Sequence, residues 1–171
     1  MQASGWDVAA VFAKAVTYAA TFGAAGAVFF SLYCTTLLRD RQRGLIRRLI
    51  AILVGVAAAA SVLRILLLAG SMSGDMAGMF DSASAGMILG AGEGQASGVR
   101  IVGLVLILFA LSKNPVFRAP AILGAITASA SFAWVGHIHG LMPNTAPGLL
   151  LCLHLLCAAF WLGALDRKSV V

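Results

Sequence analysis

The sequence predicts an all-α integral membrane protein: five transmembrane helices in one bundle, with the N-terminus outside and the C-terminus inside. Three observations predict it. Apolar residues make up 61% of the chain and charged residues only 11%, where a soluble domain carries about a quarter charged, and the mean hydropathy is +0.98. The apolar residues fall in runs that meet or approach the ~20 helical residues needed to cross a hydrocarbon core of about 30 Å. The basic residues, finally, are confined to short clusters that alternate with basic-poor connections, which is the positive-inside pattern.

The first helix is expected over about 8–38, long enough to tilt or project beyond the membrane. No basic segment precedes it and its apolar run is too long for a signal peptide, so it reads as a retained helix inserted N-terminus out. The second is expected over 45–69, behind the cluster "RDRQRGLIRR" at 39–48. A short third covers 95–112. The fourth runs over 120–137, with Pro120 in its first turn, and the fifth over 146–165, with Pro147 in its first turn. Lys113 with Arg118, and "RK" at 167–168, supply the other basic clusters. All 171 residues are then one transmembrane domain, with connections 70–94 and 138–145 outside. The formal charge of +6 reports this topology and gives no reason to expect nucleic acid as a partner. The three cysteines form no CxxC and no disulfide framework. Gly86, Gly90, Gly94 and Gly98 recur every four residues, a spacing that allows close helix packing.

Chemistry-bearing residues are sorted to one side of this topology. All three histidines lie in "GHIHGLMPNTAPGLLLCLH" (136–154), and every methionine falls on or near the outer face, as do Asp7, Asp75, Asp81 and Glu93. In "SMSGDMAGMFDSASAGM" (71–87), Met72, Met76, Met79 and Met87 recur near helical spacing. Thioether sulfur is a soft, uncharged ligand suited to Cu(I), and it survives an oxidising compartment. The same pattern also describes an amphipathic segment whose methionines simply pack on the bundle. His137 and His139 would point about 200° apart on a helix but to one side of an extended segment. His154 lies about two turns inside the fifth helix, where an imidazole needs a partner. Arg64 either snorkels outward or, with Arg100, pairs with Glu93 or Asp75; Lys14 is expected to snorkel. No hydrolase nucleophile–base set, phosphate-binding loop or HExxH is present, so binding or transport is expected, not catalysis.

The residues "SFAWVGHIHG", a short loop, then "LLLCLHLLCAAFWLGAL" resemble the signature of the copper resistance D family. Gly136-His137 matches its Gly-His at the outer end of one helix, and His154 through Trp161-Leu162-Gly163 matches its following His-Leu-Leu helix. "GQASGVRIVGLVLIL" is similar to its glycine-then-arginine helix start, aligning Gly98 and Arg100, and "TFGAAGAVFF" is compatible with its first helix. The resemblance implies a multi-pass protein of the bacterial inner membrane that handles copper, acting with a periplasmic copper-binding partner. Longer members continue for several more helices. A five-helix chain is therefore expected to be a short member that completes its bundle as a homo-oligomer, or a piece of a longer chain.

The expected site is a periplasm-facing copper site drawn from His137, His139, His154, Met72, Met76 and Met79, with Cu(I) favoured. The alternative is haem b, held for electron transfer between intramembrane histidines, His154 with His137.

Overall fold

The computed structural model describes residues 5–34, 38–134 and 145–165. Every element among them is helical. Helix α1 spans Gly5–Tyr33 and α2 spans Asp40–Ser73. A 3-10 turn (Ala77–Phe80) and the short helix α3 (Ser82–Gly90) lead into α4, Gly92–Ile107, which tightens into a 3-10 turn to Leu111. A further 3-10 turn (Pro115–Phe117) opens α5, Arg118–Ala130, and another, Ser131–Trp134, closes it. Helix α6 covers Thr145–Leu165.

Four stretches are long and apolar enough to cross a membrane: Gly5–Tyr33, Asp40–Ser73, Gly92–Leu111 and Pro115–Ala133. The fifth expected span corresponds to α6, whose apolar stretch among the described residues, Leu150–Trp161, is shorter. Local chemistry sets the ends. Gln42 Oε1 accepts from the Arg39 backbone N–H at 2.9 Å at the start of α2, occupying a donor the helix leaves unpaired. Gly74 ends α2 with φ +80°, its N–H returned to the Gly70 carbonyl, a conformation that favours glycine.

Side-chain size is sorted in the sense opposite to a soluble protein. Ala24, Ala25, Ala57, Ala121, Ala125 and Ala128 are fully buried, whereas Val11, Phe12, Ile52, Val105, Leu123 and Leu153 are exposed. In water that exterior would be a liability. Against lipid it is a favourable surface, and small interior residues let backbones approach closely where lipid removes any hydrophobic drive between helices. The described chain is therefore that of a multi-pass membrane protein.

Between the long helices, α4 and α5 approach closely through two glycines. A Cβ on Gly103 would meet the Ala128 backbone N at 2.6 Å, and one on Gly124 would meet the Gly103 carbonyl oxygen at 2.6 Å. The four-residue glycine repeat does not supply this packing. Ala91 breaks the chain between α3 and α4 in extended conformation, so the four glycines do not share a helix, and Gly86, Gly90 and Gly98 face open space.

The connections sort to two ends. The first turn of α1 and the end of α2 meet where Trp6 lies against Gly70. At the opposite end Tyr33 meets Phe160 of α6, ring centroids 6.1 Å apart. The segment 74–91, which the sequence leaves as a connection, holds two short helical pieces at the Trp6 end, packed on α2.

Because the Ala128 backbone and its short Cβ, neither able to swing aside, face Gly103, Gly103→Val should lower stability by about 1–3 kcal/mol, read as a fall in Tm in detergent. Gly98→Ala, with open space around it, should leave Tm unchanged or slightly raised.

Candidate functional site

At the Trp6 end the helices bring several polar groups into an otherwise apolar bundle. Arg100, two turns into α4, is 1% exposed. Its guanidinium lies over the Phe132 ring at 4.1 Å, and its Nε donates to Ser131 Oγ at 3.2 Å. Ser131 in turn donates to the Ala128 carbonyl at 2.7 Å. Phe132 stacks on Tyr18 of α1, centroids 3.9 Å apart, and lies 5.2 Å from Phe22. Arg100 thus clamps the 3-10 turn that ends α5 onto α4 and α1, immediately before the segment carrying His137 and His139. Its Nη1 and Nη2 have no hydrogen-bond partner among the described residues.

Arg64 of α2 approaches Glu93 of α4, Nη1 to Oε1, at 3.1 Å. Glu93 Oε1 nonetheless lacks a well-aligned donor, so the contact is ionic rather than a directed hydrogen bond. This is one of the pairings expected of Arg64. Arg100 instead takes Ser131 and Phe132. Lys14 Nζ stands 6.0 Å from the Tyr18 ring. Lys14, Arg64 and Arg100 against Glu93 leave this end of the interior with a positive excess.

The expected ligands fall in different places. Met72, in the last turn of α2, and Met76, just before the 3-10 turn, are 57% and 73% exposed. Met79 is half-buried and packs beside Trp6 over Gly70, so its thioether serves packing here. The two carboxylates among them are engaged by backbone. Asp75 Oδ1 accepts from Gly78 N–H at 2.7 Å. Asp81 caps α3, accepting from Ser84 N–H at 2.9 Å and Ser84 Oγ at 2.7 Å, and the Ser84 hydroxyl first, then the backbone donors, hold its carboxyl below the usual range.

His154 is exposed on α6, roughly 14 Å along the helix from Thr145, with no hydrogen-bond partner among the described residues. It shares an outward face with Leu150, Leu153, Cys157 and Trp161. Helix α6 packs chiefly on α1 and α5, whereas the methionine segment packs on α2 and α3; the structure does not bring His154 and the methionines together. His137 and His139 lie outside the described residues. Among the described residues, no three His, Cys, Asp or Glu side chains are grouped to hold a metal.

A model of the copper resistance protein D-like N-terminal domain matches residues 5–148. The chain belongs to this family. The match takes in Gly98, Arg100 and Gly136-His137, and stops short of His154 and Trp161-Leu162-Gly163, on which part of the sequence resemblance rests. No curated protein and no solved structure matches the chain.

Sequence reasoning missed Tyr18, Ser131 and Phe132. The signal available was the position of "SF" directly ahead of the Gly-His element, with a serine and an aromatic ring suited to receive a buried arginine. If stacking and not charge holds this clamp, Arg100→Met should keep or raise Tm, because an apolar side chain of similar length removes a desolvated charge. Phe132→Ala should cost about 3–5 kcal/mol. An equal fall in Tm for both variants would show that the charge itself holds the turn.

Proposed function

We propose that the protein binds copper at the outer face of a bacterial inner membrane and passes it on, as a binding or transport protein and not an enzyme. Membership of the copper resistance family over residues 5–148 carries this reading. The ligands proposed are His137, His139 and His154, with the exposed Met72 and Met76 as a separate point of entry for the ion and Met79 packed behind them.

The geometry supports a division of labour among them. Met72 and Met76 are exposed thioethers, reachable by a partner that delivers the ion, whereas Asp75 and Asp81 are occupied by backbone donors. The exposed thioethers are soft, neutral ligands, which favour Cu(I) over harder cations. Imidazoles of the 136–154 stretch supply neutral nitrogen ligands without burying net charge. The positive excess of Lys14, Arg64 and Arg100 opposes a cation path through the core between α1, α2 and α4. His154 lies on an exposed face of α6, and the haem alternative would need a second axial ligand opposite it.

The basic clusters imply that the N-terminus and 70–94 face the periplasm, with 39–48 and the C-terminus cytoplasmic. In a background without the native cysteines, Ser73→Cys should react with an impermeant thiol reagent added outside, and Asn114→Cys should not. The reverse pattern would invert the protein and remove the periplasmic site.

Copper binding is the deciding measurement. Metal analysis and competition with a Cu(I) chelator should show stoichiometric binding that His137→Ala/His154→Ala abolishes. Met76→Leu should weaken Cu(I) binding roughly tenfold, about 1.4 kcal/mol, and Cu(II) binding less. Unchanged copper binding in the double histidine variant would end the proposal.

A further inference from the structure

The far end of the bundle, away from the methionines, holds a second feature. The last turns of α1, the first turns of α2, the turn after α4 and the start of α5 enclose a cavity of about 120 Å³. Four cations line it, Arg43, Arg47, Lys113 and Arg118, and among the described residues no acidic side chain does. Arg43 is held toward the mouth by its Nε, which donates to the Leu38 carbonyl at 3.2 Å. The floor is apolar: Ile46, Ile50 and Ala121 are buried. Phe109 and Phe117, stacked at 5.2 Å with ring planes 9° apart, form one wall.

We propose that this cavity binds the phosphodiester of an anionic phospholipid. Even without Arg43, the like charges of Arg47, Lys113 and Arg118 around one cavity repel each other, and an anion between them relieves that repulsion. All four lie at the ends of membrane-crossing helices, the level at which headgroups sit, and basic pockets between such helices suit anionic headgroups. The apolar wall continues toward the exposed Leu108 and Phe109, giving the acyl chains a surface beside the phosphate. Zwitterionic lipids bring an ammonium group that the same cations would repel. The lipid would tie α1, α2, α4 and α5 together at an end where they meet around a void. The inference is independent of the copper reading.

Native mass spectrometry of the full chain in detergent would test it, with phosphatidylglycerol, cardiolipin and phosphatidylcholine added in equal amounts. Anionic lipids should be retained at least about tenfold over phosphatidylcholine. Arg47→Gln/Arg118→Gln should drop them to the phosphatidylcholine level, whereas Arg41→Gln/Arg48→Gln, altering exposed cations of α2 outside the cavity, should keep them. Equal loss in both double variants would reduce the effect to diffuse surface charge and overturn the proposal. So would the absence of any anionic preference, or full displacement by millimolar inorganic phosphate, which would reassign the cavity to the free ion. Circular dichroism checks folding; if the first pair fails to fold, Lys113→Gln, at an exposed position, must still reduce anionic retention or the proposal falls.

Discussion

A buried guanidinium governs the organisation of this bundle. Arg100 lies in a low-dielectric interior where a charge is expensive, and what offsets that expense is the Phe132 face, the Ser131 hydroxyl and the field of Glu93. Those contacts are made by the turn that closes α5, not by the helix itself. Around it Tyr18 and Phe22 complete an aromatic packing that reaches α1. Three elements distant in sequence therefore depend on one side chain, and the chain leaves this clamp directly into the stretch that carries two of its three histidines.

The close contact of Gly103 and Gly124 works in the same direction. It brings the α4 and α5 backbones together, and Arg100 sits one turn from it. With the backbones so near, a side chain from α4 can reach the end of α5 without leaving the interior. Small residues in the core and large ones outside extend the same logic to the other pairs. Packing in lipid rests on fit and on polar contacts between helices, not on the expulsion of water.

Hydrophobic run length and the placement of arginines made the helical membrane class legible, because both follow directly from the thickness and polarity of a bilayer. The Gly-His element and the Gly98–Arg100 helix start carried the family, and both fall within the matched residues. The packing glycines are legible only in part. Of the four-residue repeat Gly86–Gly98 only Gly94 is in close contact, with the end of α3, while Gly103 and Gly124 make the α4–α5 contact, since which face of a helix meets a neighbour depends on the helix opposite. The pairing of Arg64 with Glu93 was readable as one of several options; the choice of Phe132 and Ser131 by Arg100 was not, because it joins residues about thirty positions apart. Residue type, outer position and the family resemblance single out the copper ligands, and none of these tells which helix face His154 occupies.

Helix α2 is 34 residues long, about 51 Å. Even tilted by 40°, near the upper limit for transmembrane helices, it would project over about 39 Å, more than a hydrocarbon core of about 30 Å. Some of it must stand clear of the lipid tails. Its two ends carry opposite chemistries, arginines in the first turns and Met72 in the last, and a rigid rod couples their depths. A thinner bilayer leaves more of the rod for the water on either side, and a thicker one draws it in. If the arginines hold their level among headgroups, the height at which Met72 is displayed is set by membrane thickness, so the lipid composition itself becomes a control on how far the soft sulfur reaches into solution.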